Sequence, residues 1–456
     1  MENTEAGRNC GRPPTRRQQH NYHWESSPMA RQRPPADNLW HQVQVTFEDG
    51  RRGFLSEFSP TLTLMRWLGL YTGRLPKEKK ERYAPLFKLL FASLAVVWIA
   101  INTALMVFNV YIVYETASMI GILHVETMTL ILTGLKPLQN LINLIVFVLS
   151  KAAHERMLIA MRNTDHSFAQ HFGVEPRWAQ SRSIFLASVF VAAFLPFVAR
   201  VAQYSLFSFE PFEDWLNDIS VLLVPMLSLW QLVPLFYFVY INRLVCFWFR
   251  QLDGAIKRDA KLQKHEMDFY YRRFLQLCNC VTLISRFFSP FIFGSLAVCL
   301  AMLCLTIYFF VNAEVAITIE PNATQTEVIA TIFFPLWAGL QIVTAIAYVI
   351  CIAIAGMKTN EQARSILAPV LALLPADEAG RFQILCLVQK IQTQFQWGIT
   401  VWRAFPVERS LLFTLVGMIA TYGVVLLKLQ QNQEMRKCGN SLNLLPPQPI
   451  ANDNNL

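Results

Sequence analysis

The chain has 456 residues, is 54% hydrophobic with 34 Phe, and only 16% of its residues are charged. That is too apolar for an ordinary soluble protein and fits a polytopic membrane protein. The net charge of +9 does not call for a nucleic-acid partner, because basic residues in membrane proteins gather on the cytoplasmic side.

In chain order, residues 1–55 read as a disordered cytosolic tail. Residues 1–38 are rich in Arg, Gln, Pro and Asn and have no apolar core, so they lack the pattern of a cleavable signal peptide. Residues 56–83 begin SEFSPTLTLMRWLGLYTGRLP. This apolar, aromatic stretch is expected to lie at the inner membrane surface as a short amphipathic helix. A bilayer-spanning helix needs about 20 mostly apolar residues. Seven segments qualify, at roughly 85–113, 118–149, 183–207, 217–248, 284–312, 327–356 and 407–429. Between spans four and five, KRDAKLQKHEMDFYYRRFLQL alternates charged and apolar residues at helical spacing. It reads as cytosolic extensions of both helices, not as a loose loop. Residues 357–406 read the same way, as cytosolic anchor helices, and 430–456 as an extracellular tail.

Charge fixes the expected orientation. With the N-terminus inside, the inner segments 1–83, 151–182, 243–286 and 357–406 hold 33 of the 40 Lys and Arg residues. The outer loops near 114–117 and 313–326 hold none, and the outer stretch SFEPFEDWLN (208–217) is acidic. The Asn322-Ala323-Thr324 sequon falls in an outer loop, so Asn322 is a candidate glycosylation site. The expected fold is all-α: seven transmembrane helices, N-terminus inside, and an intracellular helical anchor.

No enzyme constellation stands out. The sequence lacks a Gly-rich phosphate loop, a His-Glu-x-x-His and a GxSxG. Cys278-Asn279-Cys280 lacks metal-ligand spacing, and no cofactor motif is legible. No internal repeat supports a transporter.

Ionisable residues inside spans are functional candidates. His124 and Glu126 lie near the outer end of span two and Arg200 near that of span three. Two roles fit: side chains reaching the headgroups, or the lining of an outward-open cavity. Tyr204, Trp230, Gln231, Tyr308, Trp337 and Gln341 add polar and aromatic groups at outer or middle depth. Trp337 and Gln341 are one turn apart on span six and face the same way. A small-molecule pocket needs apolar walls and a few placed polar groups, which these residues can supply. Lys136-Pro137 marks a kink in span two.

The closing stretch FPVERSLLFTLVGMIATYGVVLLKLQ (405–430) resembles the end of an insect-type gustatory receptor. That family ends in a seventh helix with Thr-Tyr, five mostly apolar residues, then Gln-Phe. Here Thr421-Tyr422 and Gly423 to Leu427 match, while Lys428-Leu429 replaces Gln-Phe. FSPTLTLMRWLGLYTGRLP, the seven spans and the long fourth-to-fifth inner segment are similar too. The resemblance implies a tetrameric, ligand-gated, non-selective cation channel, related to the odorant co-receptor, in the plasma membrane of sensory neurons. Its partners would be a small-molecule tastant or related ligand, the lipid bilayer and other gustatory receptor subunits. The ligand site would lie in the outer half of residues 84–356, and span seven (407–429) would line the pore. By position, Val425 faces that pore, Leu429 takes the gate position, and Tyr422 sits one turn deeper; Thr421-Tyr422 equally fits plain helix packing. Lys428 is a departure, because a ring of lysines opposes cation passage. It turns to the headgroups, the crowded ring gives up charge, or the subunit works beside others that carry Gln. Gly423, where sugar-sensing members carry an acid, counts against a sugar ligand. The competing classes are a seven-helix G-protein-coupled receptor, which needs its N-terminus outside, and a transporter.

Overall fold

A computed structural model describes residues 54–73, 84–120, 125–173, 176–206, 214–262, 267–313, 325–373, 378–393, 397–402 and 404–442. The helices are α1 (Phe54–Trp67), α2 (Ala84–Ile120), α3 (Val125–Leu149), α4 (Lys151–Phe172), α5 (Trp178–Leu206), α6 (Asp214–Leu262), α7 (Met267–Ala313), α8 (Gln325–Ser365), α9 (Leu367–Leu371) and α10 (Glu378–Gln392). Two short strands, β1 (Thr400–Val401) and β2 (Phe405–Pro406), pair antiparallel with Thr400 opposite Pro406. The last helix is α11 (Arg409–Leu442).

Helices α2, α3, α5, α6, α7 and α8 each contain a run long and apolar enough to cross a membrane, and a shorter apolar run, Arg409–Val425, opens α11. Large apolar side chains such as Val107, Phe108, Phe190, Val191, Phe194 and Leu195 stand exposed on α2 and α5. Water would penalise that surface, whereas lipid does not. The protein is an all-α polytopic membrane protein. Helices run past the apolar segments because backbone hydrogen bonding does not stop at the membrane surface. Thus α6 and α7 extend to and from the 263–266 connection, as the charge alternation predicts, and α3 passes into α4 through the single turn residue Ser150.

The core is built around α6 and α7. Trp230, Trp248, Phe249, Phe274, Phe287 and Phe288 are all fully buried in one continuous cluster. Helix α6 packs on α3, α5 and α8, while α7 packs on α3, α4 and α8.

Residues 54–67 form the expected helix but not its expected setting. Instead of lying on a surface, α1 is embedded in the bundle: Phe58, Thr61, Leu62, Met65 and Arg66 are buried. Phe58 stacks on Tyr240, Phe54 meets Trp178 edge-on, and Glu57 pairs with Arg182 of α5 at 3.3 Å. The Arg66 guanidinium lies 4.1 Å from the Phe91 ring centre. Aromatic area and these polar contacts offset the cost of burying so many Ser, Thr and charged groups.

Helix α1 ends in a Schellman turn. Gly69 has φ +73°, its N–H donates to Arg66 O at 2.9 Å, and Leu70 N–H donates to Met65 O at 2.8 Å. A Cβ at Gly69 would also come within 2.9 Å of the Ala95 backbone on α2. Conformation and close approach both demand glycine here. The two carbonyls left over, Trp67 O and Leu68 O, accept from the indoles of Trp98 and Trp230, each at 3.0 Å. Two tryptophans from different helices thereby cap one helix end.

Candidate functional site

Proline shapes the middle of the bundle. Pro234 has no N–H for the carbonyl of Trp230, four residues earlier on α6, so that carbonyl needs another donor. Asn143 of α3 supplies it, donating from Nδ2 to Trp230 O at 3.1 Å. One turn earlier, Asn140 Nδ2 donates to Leu227 O at 3.0 Å. Gln231 donates from Nε2 to Gln139 Oε1 at 2.9 Å. From α8, the Tyr348 hydroxyl donates to Gln231 O at 3.1 Å, with Ser295 Oγ of α7 at 3.4 Å.

Four helices therefore converge on one buried polar layer around Pro234 of α6. Gln139, Asn140, Asn143 and Ser295 are fully buried, and Trp98 packs edge-on against Trp230 at 4.8 Å. Three amide atoms in this layer have no hydrogen-bond partner: Gln139 Nε2, Asn140 Oδ1 and Asn143 Oδ1. One donor and two acceptors in an apolar surround are the polar groups through which a small molecule can be held. Among the described residues Lys136 forms no ion pair.

The sequence-based candidates fall unevenly around this layer. Trp230 is at its centre, but its indole N–H is already committed to Leu68 O. Gln341 is buried on α8, two turns before Tyr348. His124 and Asn322 lie outside the described residues, as does the 443–456 part of the tail. Glu126, Arg200, Tyr204, Trp337 and Leu429 belong to α3, α5, α5, α8 and α11, and their side chains lie outside the described set. The amides at 139, 140 and 143 were not singled out from the sequence. The signal was present, since LQNLINLI places three amides on one face of an apolar helix.

Below this layer, His154 of α4 sits fully buried in an aromatic box. Its ring stacks on Phe287 at 4.4 Å and meets Tyr71 edge-on at 5.0 Å. His154 Nε2 shares a 2.6 Å hydrogen bond with the Tyr237 hydroxyl, and Nδ1 has no partner. Burial disfavours the imidazolium and pushes its pKa from 6.5 down to about 3. The folded chain therefore keeps His154 neutral, while the unfolded chain takes up a proton below about pH 6.5. Stability from this group is complete above that pH and drains away as pH falls toward 3, by about 1.4 kcal/mol per unit. The melting midpoint of the solubilised protein should drop between pH 7.5 and 5.5, and His154→Gln should flatten that drop. Equal slopes in the two proteins would contradict the assignment.

At its base, helix α11 is tied down by two ion pairs, and Leu411, Leu415 and Ile419 pack on the core. Arg364 pairs with Glu408, and Arg409 Nε donates to Glu361 Oε1 at 2.9 Å. Beyond the base, Leu415 is the buried large apolar residue of the described α11 side chains. Phe413 is 77% exposed, and Val416, Tyr422, Val424 and Val425 are exposed as well. Thr421 Oγ1 is satisfied internally, donating to Gly417 O at 2.8 Å. Lys428 is exposed one turn beyond Val425 and two turns beyond Thr421, on their face of the helix.

This arrangement places the protein in a fold class seen among insect olfactory receptors. It is similar to the structure of the insect olfactory receptor OR5 from Machilis hrabei, with a TM-score of 0.58 and 14% identity, covering 82% of this chain and 97% of that one. In sequence it is 32% identical over 385 residues to a Caenorhabditis elegans protein described as probable G-protein coupled receptor egl-47, covering 81% of this chain and 74% of that protein. The chain belongs to the family of that protein. No family model matches it.

Proposed function

We propose that the chain is a subunit of a gustatory-receptor-like, ligand-gated, non-selective cation channel, assembled with related subunits into a tetramer in the plasma membrane of sensory neurons. The observation that carries this reading is α11. Its apolar first half, Arg409–Val425, is mostly unburied within one chain although it carries Thr421 and Tyr422, and the exposed Lys428 follows it within one turn. A helix of that composition is better served by neighbouring subunits around a wet axis than by lipid on all sides. The likeness of fold to an olfactory receptor supports the same reading. In it, Tyr422, Val425, Lys428 and Leu429 form the pore and gate.

The ligand is a small molecule that enters from the outer half. His124, Glu126, Arg200, Tyr204, Trp337 and Gln341 line its path, and the amides of Gln139, Asn140 and Asn143 lie at its floor. Apolar walls with a few unsatisfied polar atoms suit a compact, weakly polar compound.

A second reading, a G-protein-coupled receptor, is favoured by the description of the nematode relative as a probable one. It requires an extracellular N-terminus, which the 33 basic residues of the inner segments oppose. An epitope tag at residue 1 decides between the two. Labelling only after permeabilisation is expected; labelling of intact cells would sink the channel topology. Excised patches then test the channel directly, because current there needs no soluble G-protein pathway.

A further inference from the structure

The turn that joins α10 to α11 contains an opened hydrogen-bond rung. Ile399 stands opposite Val407, one step beyond the Thr400–Pro406 pair. In an antiparallel hydrogen-bonded pair the two residues exchange two N–H···O bonds. Here one is direct: Val407 N–H donates to Ile399 O at 2.9 Å. The other is missing, and the side-chain amide of Asn360 on α8 is spliced into its place. Ile399 N–H donates to Asn360 Oδ1 at 2.9 Å, and Asn360 Nδ2 donates to Val407 O at 3.1 Å and to Ile399 O at 3.2 Å. Asn360 is buried. One turn earlier, Gly356 touches the same hairpin, since a Cβ there would lie 2.7 Å from Val407 Cγ1.

We infer that Asn360 is a releasable latch that couples α8 to the base of α11. The argument is one of hydrogen-bond exchange. If α8 withdraws, Ile399 N–H and Val407 O can close on each other, so the hairpin loses no backbone bond. A plain buttress has no such second arrangement, and its loss would leave both groups unpaired in a buried site. An element with two complete bonding patterns is what a switch needs. Helix α8 also carries Tyr348, which reaches into the polar layer. The latch thus lies on the path from that layer to α11. Its consequence for gating rests on the channel reading proposed above.

Hydrogen exchange on the full chain in lipid nanodiscs tests the latch without any ligand. The wild type is compared with Asn360→Leu, and with Asn360→Asp should the first fail to fold; Asp keeps the acceptor for Ile399 but sets an oxygen against Val407 O. The expected result is that the peptide spanning Ile399 stays within about threefold of wild type, while amides at 356–362 exchange at least tenfold faster. Faster exchange in both segments would reduce Asn360 to a buttress and overturn the proposal. No change in either would mean that α8 is held by other contacts, and would also overturn it. Basal current per surface protein, recorded in parallel, should differ at least threefold between Asn360→Leu and wild type. An unchanged current beside a positive exchange result removes the gating role. A wild type that carries no current in any subunit combination overturns the channel reading instead.

Discussion

Lys428→Gln raises cation current at least tenfold, at equal surface expression, when the chain is expressed alone. Four charged lysines about 7 Å from a pore axis repel a monovalent cation by roughly 2 kcal/mol even at the dielectric of water. That energy corresponds to more than a tenfold change in passage rate. In a mixed tetramer with one copy of this chain the repulsion falls to about a quarter, and the expected gain shrinks to roughly threefold. Whole-cell current divided by surface-labelled protein, for the chain alone and with a glutamine-bearing relative, gives both numbers. Equal currents from conducting wild-type and variant channels would place the lysine away from the ion path. Lys428 is exposed on the face of α11 that also carries Thr421 and Val425, so the experiment addresses that face directly.

Trp230→Ala should cost about 3–5 kcal/mol, the usual range for truncating a fully buried large aromatic. Trp230→Phe separates area from hydrogen bonding. It keeps most of the ring but orphans Leu68 O, the carbonyl at the end of α1, and should cost about 1–3 kcal/mol. Cys246, Cys278, Cys280 and Cys299 are buried, so a thiol-reactive dye reports unfolding as they become accessible. The expected order of melting midpoints is wild type, Trp230→Phe, Trp230→Ala. Trp98→Phe should resemble Trp230→Phe, because its indole caps the preceding carbonyl. A Trp230→Phe midpoint equal to wild type would mean that Leu68 O needs no cap.

The apolar runs were legible because the bilayer imposes a length on any helix that crosses it. The continuations of α6 and α7 beyond their apolar runs were legible because charges recur at helical spacing through 257–277. The burial of α1 was not. SEFSPTLTLMRW carries enough Ser, Thr and Arg to suggest a surface, and its indole-capped carbonyls depend on tryptophans 31 and 162 residues away. The β1–β2 hairpin was also missed, since two-residue strands leave no alternation to detect. Only Ile399, Thr400 and Val401 before Pro406 hint at it. Asn360 looked like one polar residue in a polar stretch, because its role depends on backbone groups 39 and 47 residues away. The amide layer lies between these cases: Gln139, Asn140 and Asn143 were visible as polar residues in an apolar helix, but their partners on α6, among them the Trp230 carbonyl freed by Pro234, needed the fold.

Helix α6 is 49 residues long, which at 1.5 Å per residue is about 74 Å, more than twice the hydrocarbon thickness of a bilayer. Pro234 divides it unequally, with roughly 42 Å of helix lying beyond the proline. Geometry then supplies mechanical advantage. A change of about 5° at Pro234 would sweep the far end through roughly 4 Å. The Asn143 amide that fills the gap left by Pro234 therefore sits at the fulcrum of a long lever arm.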